Sequence, residues 1–422
     1  MERYGEYRNC PLSGIKEIPR HWEMHRIKWL LSERIEKSKD GLGEPLSMSQ
    51  KLGIVPTKEM DIIPNMASSY IGAKKVQQGD LVFNKLKAHL GVFAVSNYDG
   101  LVSPDYAVYI PTERIHLPYL ELLLRTQYYI TEFRKKTTGV AIGLTRLYTD
   151  GLFGISAIYP PIAEQEKIVS YLESKTSKID AYVADKEKEI QLLQELKQKT
   201  IAEAVTKGLN LNVKMIDSGI SWLGMIPEHW EVKRAKYMFV KNKRNRRPED
   251  EVITCFRDGQ VTLRKNRRLT GFTESEKYDG YQGIRKGDLV IHQMDAFAGS
   301  IGVSDSDGMG TSVYHCCTPI GDYNVYYYAF LIRQMAMSGF IQSLYKGIRE
   351  RSSDFSFPVF GNQYLIIPPR TEQNAIVSYI EEKCQKIDTL ITELRAEIDY
   401  LKDYKQRLIA DVVTGRVNVQ NL

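Results

Sequence analysis

Positively charged side chains crowd into a few short stretches of this sequence. Eight of the fifteen residues at positions 233–247 are Lys or Arg, and so are four of the five at positions 264–268. Smaller basic groups occur at positions 134–136 and 346–351. Lysine and arginine neutralise phosphates and release the counterions condensed on nucleic acid, which gives affinity independent of base sequence. A run of charge is often only a solvated surface, so the position of these groups in the fold decides their meaning.

Reading a base sequence needs a further set of side chains, with forked or paired hydrogen-bonding groups on loops that can enter a groove. The sequence offers such candidates in each half of the chain. Those of the first half are Asn84, Lys85, Lys87, His89, Thr145 and Arg146, and those of the second are His292, Gln293, Arg349, Arg351, Ser352 and Ser353. The other DNA-binding candidates are basic: Lys74, Lys75, Arg134, Lys135, Lys136, Lys243, Arg244, Arg246, Arg247, Arg264, Lys265, Arg267, Arg268 and Lys346.

Enzyme chemistry finds little support in the same sequence. No Gly-x-x-x-x-Gly-Lys-Ser/Thr stretch is present for a P-loop. The Pro-Pro pairs at 160–161 and 368–369 lack the preceding Asn or Asp of an amino-methyltransferase motif, and Pro104-Asp105 lacks the acidic-x-Lys triplet of a metal-dependent nuclease. The His-Trp pairs at 21–22 and 229–230 have no second metal ligand nearby, so we favour a structural role for both. We therefore expect neither catalytic residues nor a metal site.

Composition sets the class of protein. The chain has 422 residues, with 58 Lys and Arg against 52 Asp and Glu, so its formal charge is +6. Hydrophobic residues make up 43% and charged residues 26%, values of an ordinary globular protein and not of a disordered one. No stretch reaches about 18 uninterrupted apolar residues, and the first residues do not resemble a signal peptide, so we expect a cytoplasmic protein without a membrane span. Five cysteines without a Cys-x-x-Cys pair favour reduced thiols.

An internal repeat with an offset of 208 residues organises the chain. Positions 158–180 match positions 366–388 at 14 of 23 residues without a gap, and positions 18–28 match 226–236 at seven of eleven. The same offset pairs the two Gly-Asp-Leu-Val stretches that begin at Gly79 and Gly287. Between these similar ends the two middles differ. This pattern favours one scaffold, copied once, that carries two segments of different specificity.

A long helix is predicted in each copy. The first begins after Pro161 and runs to about Lys207, where Gly208 is a plausible end, and the second covers positions 371–415. Forty-odd residues at 1.5 Å each give rods of roughly 65 Å. Each rod has one narrow apolar stripe, so we expect the two to pack together as an antiparallel coiled coil. The predicted packing residues are Ile179, Val183, Ile190, Leu193, Ile387, Ile391, Leu394, Ile398, Leu401 and Leu408.

The two middles read as mixed α/β, so the fold class is α+β with a pseudo-two-fold internal repeat. Short strands separated by Gly, Asp and Asn turns are predicted at 81–83, 92–95, 106–110, 289–291 and 301–304. One helix is predicted in each middle, at 117–136 and at 325–346, each followed by a glycine-containing loop. The predicted division of the chain is 1–158, 159–208, 209–366 and 367–422, as module, helix, module and helix.

These features together resemble the specificity (S) subunit of type I restriction-modification systems. The resemblance rests on the half-starts Ile-Pro-x-His-Trp, the Pro-Pro-x-x-Glu-Gln helix starts and the Ile-Asp heptads, each present twice across nearly the whole chain. It implies two target recognition domains, 1–158 and 209–366, and two spacer helices, 159–208 and 367–422. It also implies a non-catalytic subunit that recognises a bipartite, asymmetric double-stranded DNA sequence.

The resemblance further implies the partners. Two methyltransferase (M) subunits would methylate adenine, and restriction (R) subunits would cleave unmethylated DNA. S-adenosylmethionine, ATP and magnesium would then belong to those partners, with no cofactor bound by this chain. Two other functions stay open on the sequence alone: a coiled-coil adaptor whose modules bind proteins, and a nuclease.

Overall fold

The computed structural model describes residues 2–12, 14–50, 52–60, 69–138, 145–210, 212–267, 270, 278–344 and 354–420. Residue contacts divide the chain into two units, and each unit takes one half of each long helix. Unit 1 comprises Met1–Lys186 with Arg395–Leu422, and unit 2 comprises Glu187–Leu394. The predicted division into two modules and two helices stays a prediction. No helix in the described part of the chain is long and apolar enough to cross a membrane.

Unit 1 contains small antiparallel sheets and short helices. Its strands are β1 Tyr7–Asn9, β2 Glu17–Pro19, β3 Glu23–Arg26, β4 Leu31–Glu33, β5 Leu46–Ser49, β6 Gly53–Pro56, β7 Lys74–Val76, β8 Leu81–Asn84, β9 Phe93–Val95, β10 Gly100–Val102, β11 Tyr106–Pro111 and β12 Ser156–Tyr159. Its helices are α1 Leu117–Leu124, α2 Gln127–Lys136, α3 Thr149–Phe153 and the first half of α4 Ile162–Lys207, with 3-10 turns at Ile27–Trp29, Thr57–Glu59 and Ala88–Leu90. The largest sheet has the strand order β4-β11-β8-β9.

Unit 2 is built from the corresponding elements. Its strands are β13 Met215–Asp217, β14 Met225–Pro227, β15 Glu231–Arg234, β16 Phe239–Asn242, β17 Ile253–Cys255, β18 Val261–Leu263, β19 Gln282–Ile284, β20 Leu289–His292, β21 Ile301–Val303, β22 Gly308–Gly310, β23 Tyr314–Pro319 and β24 Tyr364–Ile367. Its helices are α5 Val325–Met337, α6 Phe340–Ser343, α7 Phe357–Gly361 and the first half of α8 Arg370–Val413, with 3-10 turns at Ala235–Tyr237, Arg264–Asn266 and Ala296–Ala298. Its four-stranded sheet has the order β16-β23-β20-β21.

The mixed helix and strand class is confirmed, and the two long helices pack together. Helix α4 ends at Lys207, as predicted, because Gly208 takes a left-handed φ of +73°. A Cβ at Gly208 would also lie 3.0 Å from the ring of Trp230, so glycine is needed there twice over. Gly415, at φ +76°, follows the end of α8 in the same way and packs against Pro19 and Trp22.

The single helix predicted in each middle is wrong in both units. In unit 1, Thr126 has an extended backbone (ψ 150°), which separates α1 from α2, and its hydroxyl donates to the carbonyl of Leu123. In unit 2, Gly339 has a φ of +77°, which ends α5 and starts the short α6. In both cases one residue with a non-helical backbone lies inside a long apolar pattern, so the pattern alone did not reveal the break.

Each unit has its own hydrophobic core. The core of unit 1 joins the sheet to α1, α2 and the start of α4, and it includes Trp22, Phe83, Tyr109 and Tyr119. The core of unit 2 joins its sheet to α5, α7 and the start of α8, and it includes Trp230, Phe239, Tyr327 and Tyr328. A smaller cluster in each unit lies on the opposite face of the four-stranded sheet, between that sheet and the two-stranded sheets. The long helices are therefore fixed to the modules at their ends by apolar packing.

Candidate nucleic-acid interface

The start of α4 is tied to unit 1 by one buried carboxylate. Glu164 accepts hydrogen bonds from the Tyr4 hydroxyl (2.6 Å) and the Trp22 indole (3.1 Å), and its other oxygen lies 2.9 Å from Nε2 of His21. The ring of Tyr119 packs edge-on against Trp22, and its hydroxyl donates to the carbonyl of Val413, in the last turn of α8. The module thus holds the first turn of one long helix and the last turn of the other.

Unit 2 has the same arrangement, formed by residues that lie 208 positions later in the sequence. Glu372 accepts from the Trp230 indole (3.0 Å) and lies 2.7 Å from Nε2 of His229, while the Tyr327 hydroxyl donates to the carbonyl of Val205 (2.8 Å). The contacts of both His-Trp pairs are structural. No specific signal in the sequence marks the two glutamates as their common partner, because every pair of repeated positions keeps an equal separation, here 143 residues.

In unit 1, three segments that carry predicted DNA-binding residues meet beside the turn after β8. The turn after β8 is joined to the segment before α3 by a hydrogen bond from Leu147 N–H to the carbonyl of Lys85 (2.9 Å). Residues Thr138 and Arg146 exchange backbone hydrogen bonds, which bring the end of α2 to the same place. Arg146 also lies 3.5 Å from Asp105. The structure therefore brings Lys85, Thr145 and Arg146 together with the basic end of α2.

Charge is partly neutralised inside this surface. Lys74 is buried and its Nζ lies 2.9 Å from Glu33, while Lys75 pairs with Glu36 at 2.7 Å. Burial, followed by the positive charge of Lys74, lowers the pKa of Lys85. Both Lys74 and Lys75 have carboxylate partners in the free protein, so a phosphate would have to compete with these carboxylates for either of them.

Two predicted base-reading residues make contacts within their own turns. The Asn84 Oδ1 accepts from the backbone N–H groups of Leu86 (3.1 Å) and Lys87 (3.3 Å). At the same place in unit 2, His292 Nδ1 accepts from Met294 (3.2 Å) and Asp295 (3.1 Å). Both side chains therefore fix the shape of the turn that follows β8 in unit 1 and β20 in unit 2. The residues next to Asn84 and His292 do not have this role, and they differ between the two units.

The neighbours of these turn residues have different environments. His89 is half-buried, and its Nδ1 has no hydrogen-bond partner among the described residues. Gln293 bonds to Asp354, and its backbone carbonyl accepts from Phe355 N–H (3.1 Å) just as Lys85 accepts from Leu147. Thr145 is half-buried beside Arg146. In both units, the same backbone hydrogen bond joins the turn after β8 or β20 to the segment before α3 or α7. The side chains on these two segments differ between the units.

In unit 2, aspartates bind many of the clustered basic residues. Arg244 forms an ion pair with the buried Asp288, and Asp288 Oδ2 also accepts from the backbone of Arg285 (2.8 Å). Arg247 pairs with Asp307 at 3.1 Å. The Gly-Asp-Leu-Val stretch thereby gains an explanation, because in unit 1 its Asp80 is also buried and binds Arg34 at 2.7 Å. No local pattern in the sequence marks these acids as partners of the arginines.

The second basic run of unit 2 is also partly engaged. Lys265 pairs with Glu251 at 2.5 Å, and Arg267 pairs with Asp258 at 2.7 Å while its guanidinium lies 4.2 Å from the ring centroid of Phe256. Arg264 donates to the hydroxyl of Thr254 at 3.3 Å. These contacts lie on and beside the β17-β18 hairpin and make part of its positive charge structural.

A smaller set of cations is exposed and has no ion-pair partner within the described ranges. In unit 1 this set is Lys87, Arg134 and Lys136, and in unit 2 it is Lys243 and Arg246. Lys135, between two of them, pairs with Glu132 at 2.7 Å. Six further candidates lie outside the described residues: Arg268, Lys346, Arg349, Arg351, Ser352 and Ser353. The exposed set is the part of the predicted interface that can neutralise phosphate without first losing an internal contact.

The predicted helix-packing residues fall into two groups. Ile387, Ile391, Leu394, Ile398 and Leu408 on α8 are buried. Leu401 on α8 and the four positions on α4, Ile179, Val183, Ile190 and Leu193, are half-buried. The stripe of α4 also contains Lys186 and Lys197, which form ion pairs with Glu397 (3.3 Å) and Asp388 (2.7 Å) on α8.

Thiols and acidic clusters add no further chemistry to this surface. Burial raises the pKa of the Cys316 thiol to about 12, and the pKa of Cys255 and Cys317 is raised in the same way, which keeps these thiols protonated at neutral pH. Among the residues that the structure describes, no group of three or more His, Cys, Asp or Glu side chains is arranged to hold a metal ion.

Comparison with known proteins gives a match in structure only. No protein-family model matches the chain, and no curated protein matches its sequence. A solved structure from work on complex assembly and conformational transition of the type I R-M system is 15% identical, with a TM-score of 0.70 over 95% of this chain and 99% of that one. The HsdS subunit from Thermoanaerobacter tengcongensis is 14% identical, with a TM-score of 0.57 over 97% and 100%. The chain therefore has the fold of these type I R-M proteins.

Proposed function

We propose that this chain is the non-catalytic, sequence-specific DNA-binding subunit of a type I restriction-modification complex. The observation that carries the proposal is one fold over nearly the whole length of both chains, here built from two units with a common frame and different loops. Of the exposed cations, Lys87 lies on the turn after β8, Arg134 and Lys136 lie on the adjacent end of α2, and Lys243 and Arg246 lie between β16 and β17. They supply the phosphate contacts that such a subunit requires.

A bipartite, asymmetric target follows from the difference between the two loops after β8 and β20. Their backbones and turn contacts correspond, but Lys85 in unit 1 stands where Gln293 stands in unit 2. Lysine favours guanine O6 and N7, whereas glutamine favours adenine. Two modules with different donors and acceptors read different half-sites, and the unread spacer is set by the paired helices.

The partners of this function are two methyltransferase (M) subunits and restriction (R) subunits. The M subunits methylate adenine within the recognised sequence, and the R subunits cleave DNA that lacks the methyl groups. S-adenosylmethionine, ATP and magnesium belong to these partners, and the chain binds no cofactor itself. Its contribution is to select the DNA sequence on which they act.

Single-molecule sequencing of methylated adenine in the source cell tests the proposal. We expect one motif with two unlike half-sites and a fixed spacer, which disappears when the gene for this chain is deleted. A duplex with this motif should shift the complex in a gel, and matched duplexes with either half-site scrambled should bind at least tenfold more weakly. A continuous or palindromic motif would contradict the proposal.

Two other functions give different results in the same assays. A coiled-coil adaptor for proteins would leave the assembled complex without salt-sensitive affinity for DNA. A nuclease would cleave DNA when the purified chain alone is supplied with a divalent metal. Either outcome would replace the proposed function.

A further inference from the structure

An exposed aromatic ring follows a lysine at the same place in both units. In unit 1 the pair is Lys28-Trp29, and in unit 2 it is Lys236-Tyr237, 208 residues later. Both pairs lie in a 3-10 turn directly after β3 or β15, the strands that pair with β12 and β24 just before the two long helices. Trp29 is 60% exposed and Tyr237 is 64% exposed, although aromatic rings of this size are usually covered.

The backbone of each turn is anchored to the hydrophobic core by the buried residues on either side of the exposed pair. Ile27 and Leu30 flank the exposed pair in unit 1 and are fully buried, and Ala235 and Met238 do the same in unit 2. The Lys28 ammonium lies 4.9 Å from the centroid of the Trp29 ring, and Lys236 lies 5.2 Å from that of Tyr237. Each turn therefore presents a cation and a ring on a rigid base, which lowers the entropy cost of binding.

Core packing does not account for the repeated pair. The buried positions beside it differ between units, because Ile27 and Leu30 correspond to Ala235 and Met238. The exposed positions instead hold Lys twice and an aromatic ring twice. A single exposed hydrophobic residue needs no explanation. The same exposed pair, at one position in two copies whose adjacent buried residues differ, points to a contact that both copies make.

The surroundings favour a protein over DNA as the partner. In unit 2, Ile320 is 59% exposed and its N–H donates to Met238, next to Tyr237, while Val240 is exposed on the adjoining strand. Arg26 and Lys28 in unit 1, and Lys236 in unit 2, add positive charge at the edge, whereas Lys233 pairs with Glu231 at 3.4 Å. Double-stranded DNA offers phosphates but keeps its bases stacked, so it gives such rings and aliphatic groups little to pack against. Aromatic residues within a charged rim are typical of protein interfaces.

We propose that Lys28-Trp29 and Lys236-Tyr237 are two equivalent docking points, each for one methyltransferase subunit. This inference rests on the proposed function, since it assigns that function's protein partner to a surface. The partner surface is an apolar pocket for the ring, bordered by carboxylates that pair with the lysine. Two equal sites on one chain bind two copies of one subunit.

The test compares assembly of the full chain with its cognate methyltransferase subunit by native mass spectrometry and by titration. The variants are Trp29→Ser, Tyr237→Ser and the double variant, with Leu42→Ser, a 77% exposed residue elsewhere on unit 1, as the matched control. We expect the original chain and the control to bind two subunits. Each single variant should bind one subunit normally and the second at least tenfold more weakly, and the double variant should lose both.

The outcomes separate this inference from the proposed function. If the original chain binds no methyltransferase subunit, the proposed function itself loses its partner. If the original chain binds two and the double variant also binds two with equal affinity, only the docking surface is wrong. If the variants keep two subunits but lose affinity for the methylated-motif duplex, the surface faces DNA and the inference is overturned. Circular dichroism of each variant confirms that a loss of binding is not a loss of folding.

Discussion

Lys405 Nζ lies 2.6 Å from Oδ2 of Asp180, across the packed helices of unit 1. In unit 2 the same two positions of the repeat pair again, as Lys197 with Asp388 at 2.7 Å. The lysines occupy the apolar stripes, where a charge without a partner would be unfavourable. Each lysine reaches an aspartate on the other helix only in one alignment. The two ion pairs therefore fix the register of α4 against α8 more than they add to its stability.

Exchange of charges at Asp180 and Lys405 tests this relationship. Lys405→Asp alone places two carboxylates together and should lower the free energy of unfolding by about 1 kcal/mol, since both side chains are partly exposed. Adding Asp180→Lys should restore most of the loss. Urea unfolding of the full chain measures both values. Lys178→Asp, at an exposed lysine on α4 without an ion-pair partner among the described residues, is the control for charge alone. Equal losses in the single and exchanged variants would refute a direct pair.

Glu164 and Glu372 should differ in importance despite their equivalent positions. The Glu164 side chain is 6% exposed and has three partners, whereas Glu372 is 39% exposed and has two. Removal of a buried acceptor leaves its donors unsatisfied, so Glu164→Gln should cost about 2–3 kcal/mol and Glu372→Gln about 1 kcal/mol. Thermal unfolding followed by tryptophan fluorescence measures the difference. Glu166→Gln serves as the control, because Glu166 is an exposed glutamate two residues further along α4. The hypothesis fails if the Glu372 variant is the less stable of the two.

Acid should destabilise unit 2 through His315. This side chain is buried, its Nε2 lies 3.1 Å from the carbonyl of Phe355, and burial, followed by the charge of Lys241, lowers its pKa from 6.5 to about 4. The unfolded chain therefore takes up a proton before the folded chain does. The contribution is complete above pH 6.5 and is lost as the pH falls toward 4, where the loss approaches about 3 kcal/mol.

Urea unfolding between pH 7 and pH 4 measures this loss, with His315→Gln as the comparison. Glutamine keeps an N–H donor for Phe355 but does not titrate in this range. The variant should show a flatter dependence of unfolding free energy on pH. An identical slope in both proteins would show that other groups govern acid stability.

Lys243 and Arg246 should contribute phosphate contacts without any structural role. If the proposed function holds, replacing both with alanine should lower DNA affinity equally for the methylated motif and for unrelated duplexes. The slope of log affinity against log salt should become less steep by about 2, since each phosphate contact contributes about 0.9. Fluorescence anisotropy at several salt concentrations measures the slope.

Arg244→Ala is the informative control for that pair. Because Arg244 binds the buried Asp288, its loss leaves an unpaired carboxylate in the fold, and we expect a stability loss of about 3 kcal/mol. A variant of Lys243 and Arg246 that is equally destabilised would show that these residues are structural too.

The sequence by itself determined the repeat, the long helices and the fold class. These are periodic or duplicated features, and each is visible in residues that are close in the chain or separated by the constant offset of 208. It also placed the end of α4 correctly at Gly208, because a left-handed glycine after a helix is a local signal.

Only the tertiary structure decided which charges are free. Arg244 and Arg246 are two residues apart and alike in sequence, yet one binds Asp288 and the other is exposed. Asn84 and His292 looked like base readers, but each accepts hydrogen bonds from its own turn. Arg244 binds a partner 44 residues away in the chain, and local patterns do not record such a distance. Asn84 and His292 bind N–H groups within three residues, but only the folded turn directs those groups toward the side chains.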